Sequence, residues 1–132
     1  MTDVIEIEFP AHERYLPVAR ATAAAVAMVH DLTLDDIADV RLAIDEVCAT
    51  LVPLAAPGAR ARCELRVDEE ELTLTARVRV VSVDLPEPDS VGWRILRTLA
   101  DSVTTHVDEA YGANGTKPLV LTVVKHRTRA AT

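Results

Sequence analysis

Among the side chains able to do chemistry, carboxylates dominate: 21 Asp and Glu stand against 14 Lys and Arg in 132 residues, for a formal charge of −7. Asp39, Glu46 and Thr50 fall on one face of a helical stretch, opposite an apolar stripe. Carboxylates so placed suit acid–base work or a solvated acidic face, and spacing alone does not choose between the two. His12, His30, His106 and His126 stand apart from one another, as surface or packing residues do. Cys48 and Cys63 lack a CxxC spacing and lie in apolar-patterned segments, which reads as two buried thiols rather than a disulfide or a redox pair. No zinc spacing, nucleophile elbow, P-loop or dinucleotide fingerprint occurs. Glycine is scarce as well: average usage of ~7% would give about nine, whereas there are four, Gly58, Gly92, Gly112 and Gly115. Any function that needs several glycine-lined phosphate loops is under strain.

The charge balance narrows the partners. Twelve Arg and two Lys are scattered in small pairs, Arg60/Arg62, Arg77/Arg79, Arg94/Arg97 and Arg127/Arg129, so no basic stripe forms along the sequence. Affinity for nucleic acid comes mainly from basic residues displacing counterions, and direct nucleic-acid binding is not expected. An acidic surface suits a protein partner carrying positive charge. The acidic, alternating start of the chain lacks the basic flank and apolar core of a signal peptide, and the run Ala23 to Val29 is far short of the ~20 residues that a membrane span needs. The expected location is the cytoplasm, with no membrane contact.

The elements that must position these groups follow from periodicity. Val4, Ile5, Ile7 and Phe9, interleaved with Glu6 and Glu8, predict a strand ended by Pro10. From Glu13 to His30 the pattern is helical and apolar nearly all round: Leu16, Ala19, Ala23, Val26 and Ala27 form one stripe and Val18, Ala21, Ala25, Met28 and Val29 another. Such a helix needs cover on two sides, one from the sheet and one from a subunit, a partner or the monomer's own core. A second helix starts at Thr33, a capping residue followed by Asp35 and Asp36, which complement the helix dipole. Its core stripe is Ile37, Val40, Ile44, Val47, Cys48 and Leu51, and Pro53 with Pro57-Gly58 ends it. Arg60 to Val67 and Leu72 to Val83 predict a hairpin around the acidic turn Asp68 to Glu71. Val91 to Ala100 predicts a helix with Ile95, Leu96 and Leu99 inward. Val103 to Val107 and Leu119 to Val124 predict two closing strands around the loop Tyr111 to Thr116. The resulting architecture is one α+β domain over residues 1–126, a two-layer sandwich of a mixed or antiparallel sheet with helices on one face. Residues 127–132 form a polar tail expected to fray.

Several segments in order carry a resemblance. Ile5-Glu-Ile-Glu-Phe-Pro-Ala11, Tyr15-Leu-Pro-Val-Ala-Arg20 and Leu34-Asp-Asp-Ile-Ala-Asp-Val-Arg-Leu-Ala-Ile-Asp-Glu-Val-Cys48 are followed by Gly92-Trp-Arg-Ile-Leu-Arg-Thr-Leu-Ala-Asp-Ser-Val103 and by Gly115-Thr116 with Lys125. Together they resemble the anti-sigma factors and serine-protein kinases of bacterial partner-switching modules, in wording nearest the actinobacterial anti-sigma-F branch. The resemblance implies the Bergerat (GHKL) ATPase fold, whose element order is the one read above. It also implies ATP and Mg²⁺ as cofactors, a sigma factor and an anti-anti-sigma protein as partners, and a homodimer.

Carried over residue by residue, the resemblance makes Glu46 the catalytic base toward an acceptor hydroxyl. Thr50 occupies the place of a Mg²⁺-binding Asn, and a hydroxyl is a weaker, shorter-reaching ligand than an amide carbonyl. Asp84 stands where the family reads adenine, but Pro86 replaces the first glycine of the following box, and seven residues separate Asp84 from Gly92, too few for a nucleotide lid. Gly92, Gly115 and Thr116 would approach the nucleotide; a helix start and a hairpin turn explain them equally well. Arg20 matches an arginine that contacts both protein partners. It is also the one charged residue in an otherwise apolar helical stretch, and the plainer explanation is a stem snorkelling over the core. Partner binding needs only a surface, whereas phosphoryl transfer needs positioned phosphates and metal. The sequence therefore predicts an anti-sigma factor with a degenerate ATP site. The alternatives are an active Ser/Thr kinase that phosphorylates its anti-anti-sigma antagonist, and a scaffold of the same fold with an unrelated partner.

Overall fold

A computed structural model describes residues 2–81 and 90–128. Eight main elements run in the order β1 (Asp3–Pro10), α1 (Leu16–Val29), α2 (Leu34–Leu51), β2 (Arg60–Val67), β3 (Glu71–Val80), α3 (Val91–Leu99), β4 (Ser102–Val107) and β5 (Lys117–His126). The strands form one sheet in the order β1-β2-β3-β5-β4, with every neighbouring pair antiparallel.

Alternation along the strands decides which face is covered. Ala61, Cys63, Leu65 and Val67 of β2, Leu72, Leu74, Ala76, Val78 and Val80 of β3, and Leu119, Leu121 and Val123 of β5 are buried and point toward the helices. The intervening residues, Arg62, Arg66 and Arg77 among them, are exposed on the other face. Period-2 burial is what a sheet with one packed side requires. The helices meet it with Ala19, Ala23, Val26 and Ala27 of α1, Ile37, Val40, Ile44, Val47 and Leu51 of α2, and Trp93 and Leu96 of α3. The second apolar stripe of α1 stays uncovered: Val18, Met28 and Val29 are among the most exposed large apolar residues.

Local signals set the boundaries. The Thr33 hydroxyl accepts from the Asp36 N–H at 3.1 Å and caps α2. The Asp68 carboxylate accepts from the N–H groups of Glu70 and Glu71, both at 2.8 Å, closing the β2–β3 turn. Its bonds from Glu71 and then Glu70 hold that carboxyl below its ordinary value. Two expectations need correction. Ile95 lies outward at the surface, and the buried residue of α3 beside Leu96 is Trp93, because the helix presents positions 93 and 96 rather than 95 to α2. The chain also stays on the body beyond Lys125: β5 runs to His126, Arg127 donates to the carbonyls of Asp68 and His30, and Thr128 is bonded to Asp36. The C-terminal part of the predicted Leu72 to Val83 strand, from 82 on, lies outside the described residues.

Asp36 is the one charged side chain in the core among the described residues, at 2% exposure. Its carboxylate accepts from the Thr128 N–H at 2.6 Å and the Thr128 hydroxyl at 2.8 Å, with the Lys125 ammonium 3.7 Å away. Lys125 also reaches Asp39 at 3.1 Å and donates to the Leu99 carbonyl. Burial pushes the Asp36 carboxyl up most strongly. The bonds from Thr128, the charge of Lys125 and the contact with Thr33 together outweigh it and leave it below its ordinary value of 3.8. With a folded value depressed in this way, the stabilisation is complete above the unfolded carboxylate value and is lost as pH falls through the folded one. Asp36→Asn should therefore cost about 1–3 kcal/mol in urea denaturation at neutral pH, and the gap to wild type should close on acidification below the ordinary carboxylate range. A gap that does not change with pH would contradict this account.

Candidate functional site

The residues singled out by sequence fall into three places. The first lies between α2 and α3. Glu46 and Thr50, one helical turn apart on α2, are half-buried and face the start of α3. The Ser90 hydroxyl accepts from the Trp93 N–H at 3.2 Å and caps that helix, so Gly92 enters in its first turn. Its lack of a side chain matters here: a Cβ on Gly92 would lie 3.0 Å from Glu46 Oε2 and 3.6 Å from Thr50 Oγ1. The Thr50 hydroxyl donates to the Glu46 carbonyl at 2.8 Å, turning back on its own helix. Asp39, expected on a solvated acidic face with Glu46 and Thr50, is half-buried and paired with Lys125. Asp84 lies outside the described residues.

Gly115 and Thr116 form the second place. Asn114 and Gly115 have φ of +53° and +74°, and Ala113 and Thr116 exchange two backbone bonds of 2.9 Å across them. A two-residue hairpin turn with both φ positive accounts for this glycine. The Thr116 hydroxyl donates to the Ala113 carbonyl at 2.8 Å and accepts from Arg79 Nη1 at 3.2 Å. Arg79 rises from the sheet face that the helices do not cover, so the structure does not bring the Thr116 side chain to the Glu46, Thr50 and Gly92 group.

The third place is on the outer side of α1 and α2. Arg20 does not merely snorkel: its Nε donates to both oxygens of Asp45 on α2, at 2.8 and 3.0 Å. Its Nη groups make no hydrogen bond among the described residues. Arg20, Ala38, Arg41, Leu42 and Asp45 line a shallow depression there, and Leu42 is 52% exposed. Asp45 escaped sequence reasoning, since a partner 25 residues away on another helix leaves no local signal; its place on the polar side of α2 was the only pointer.

Cys48 and Cys63 are free and buried, as expected. The neighbouring Cys63 thiol and burial push the Cys48 thiol well above its ordinary range. Among the described residues, no group of three or more His, Cys, Asp and Glu is placed to hold a metal, and no helix is long and apolar enough to cross a membrane.

No protein-family model matches the chain. Over 104 residues it is 34% identical to the anti-sigma-F factor RsbW of Mycobacterium tuberculosis, covering 79% of this chain and 62% of that protein. A stretch of 50 residues is 38% identical to the serine-protein kinase RsbW of Bacillus velezensis, covering 38% of this chain and 31% of that one. The chain thus spans about 62% of the length of the M. tuberculosis relative. Among the solved structures that share the fold are two that resemble this chain over most of its length. One is a chain of the SiaB–SiaC complex from Pseudomonas aeruginosa, with a TM-score of 0.72 at 10% identity over 91% of this chain and 89% of that one. The other holds the RsbU and RsbW domains of an M. tuberculosis protein, with a TM-score of 0.69 at 16% identity over 98% of this chain and 34% of that one.

Because the Arg20 and Asp45 side chains are 39% and 30% exposed, water screens their attraction. A double-mutant cycle of Arg20→Ala and Asp45→Ala should give a coupling below about 1 kcal/mol in thermal or urea denaturation. A much larger coupling would make the pair a structural clamp rather than a surface feature.

Proposed function

The chain is RsbW-like in sequence and in fold, and on that footing we propose that it is an anti-sigma factor that binds and withholds an RNA polymerase sigma factor and is released by an anti-anti-sigma protein. The observation that carries the proposal is the Arg20 site. Asp45 fixes the Nε edge of the guanidinium, whose Nη groups make no hydrogen bond among the described residues, and exposed Leu42 lines the same depression. An arginine oriented by a carboxylate beside an exposed leucine is a frequent form of interface hot spot. Exposed Met28 and Val29 on the uncovered stripe of α1 suit a second copy of the chain, which is the homodimer that the resemblance implies.

The nucleotide site is proposed to be degenerate. Mg²⁺ demands near-octahedral oxygen ligands, and among the described residues the side-chain oxygens gathered at Gly92 are one carboxylate, Glu46, and one hydroxyl, Thr50, already turned to its own helix. These residues do not fit the metal. Of the four glycines, Gly58 and Gly115 serve turns with positive φ, which supports the same reading: few are left for phosphates.

Two outcomes are expected. Arg20→Ala should weaken sigma binding by about 2 kcal/mol, roughly thirtyfold, with little change in stability; unchanged affinity would move the interface elsewhere. A pull-down from the native cell should recover a sigma factor both with and without ATP, and calorimetry should find weak or unmeasurable Mg-ATP binding. Partner exchange on adding ATP, with phosphate transfer abolished by Glu46→Ala, would establish the kinase instead.

A further inference from the structure

The open face of the sheet carries a charge cluster that the reading above does not use. On β2 and β3, Arg60, Arg62, Arg77 and Arg79 alternate with core residues, so all four stand on the side away from the helices. The strand register sets Arg62 directly opposite Arg77. Like charges in facing positions of an antiparallel pair destabilise the sheet, and here they occur in a chain of net charge −7 that has carboxylates to spare. Among the described residues Arg60 pairs with Glu8 at 3.3 Å, while Arg62 and Arg77 make no ion pair. Arg79 is fixed by its bonds to the Thr116 hydroxyl and the Tyr111 carbonyl. The four arginines line a shallow depression of about 460 Å³ together with the carboxylates Glu8 and Asp108.

The geometry favours one class of occupant. Arginines two residues apart on a strand repeat at roughly 7 Å, and adjacent strands lie ~4.8 Å apart. An extended peptide with a carboxylate on every second residue has the same repeat, and guanidinium groups bind carboxylates through paired hydrogen bonds. Glu8, which the β1–β2 register sets opposite Arg62, and Asp108 line the same depression, and with the negative charge of the whole chain they oppose a continuous polyanion such as nucleic acid. We propose that this sheet face docks an extended acidic segment of a partner protein, with Arg62 and Arg77 as the principal contacts. The proposal is independent of the Arg20 site.

The test is fluorescence anisotropy of a fluorescein-labelled peptide of alternating Glu and Thr, at low ionic strength, with the full chain. Arg77→Glu places a carboxylate opposite Arg62, so the variant should be at least as stable as wild type in thermal denaturation, while peptide affinity falls by about tenfold or more. Arg97→Glu makes the same charge change on exposed α3 and should alter the affinity less than about twofold. Equal losses from the two variants, or no peptide binding by wild type, would overturn the proposal. So would tighter binding of a labelled oligothymidylate that Arg77→Glu abolishes, which would assign the face to nucleic acid. Self-association of wild type that Arg77→Glu removes would assign it to a second copy, with the same effect.

Discussion

The buried carboxylate of Asp36 is the constraint on which the rest of this molecule turns. It lies in the first turn of α2, at the positive end of the helix, and takes two hydrogen bonds from Thr128 just beyond β5. Lys125, itself only 15% exposed, stands beside it. A buried ion is tolerable only when its charge and lone pairs are matched, and here the match requires the end of the chain to lie across the start of the helix. One contact therefore joins the helix layer to the central part of the sheet, between segments 92 residues apart in sequence.

Fixing Asp36 inward also fixes the rotation of α2. With about 100° per residue, positions 36, 40, 43, 44 and 47 must face the sheet, and they are buried. Positions 39, 46 and 50 then turn toward α3 and β5, which brings Glu46 and Thr50 against Gly92 and Asp39 against Lys125. Positions 38, 41, 42 and 45 turn outward beside α1, where Asp45 meets Arg20. The candidate nucleotide site and the proposed partner face are thus two sides of one helix whose orientation a single buried charge helps to set.

Much of this was legible beforehand, for identifiable reasons. Strand alternation and the Thr33 cap are local signals, and they placed β1, β2 and α2 closely. Asp36 was read only as a complement to the helix dipole, although it falls four residues before Val40 on the apolar stripe; a carboxylate in that position is itself a sign of a buried partner. The choice between Trp93 and Ile95 was not legible, because in a helix as short as α3 either residue can extend the stripe through Leu96, and contact with α2 decides. The anchoring of Arg127 and Thr128 left no periodic trace, since it consists of hydrogen bonds to residues distant in sequence. The arginine cluster was visible only as two separate pairs. Strand pairing makes it one patch, by setting Arg62 across from Arg77.

The arginines of this acidic chain divide by how they are held, and the division carries physical meaning. Arg127 is spent on backbone carbonyls that tie the C-terminal segment down. Arg20 and Arg79 are oriented by one edge, through Asp45 and through Thr116 with Tyr111. Arg62 and Arg77 face each other without a carboxylate between them among the described residues. In a chain with seven excess negative charges, pairing every arginine would be the least costly arrangement for the isolated fold. The facing pair Arg62 and Arg77 works against the isolated sheet, and a local cost of that kind is characteristic of residues kept for contact with something else. The two proposed binding surfaces, on opposite sides of the molecule, are compatible with the candidate nucleotide site being degenerate: recognition by charge uses the outside of the sheet and helices, and asks nothing of the space between α2 and α3.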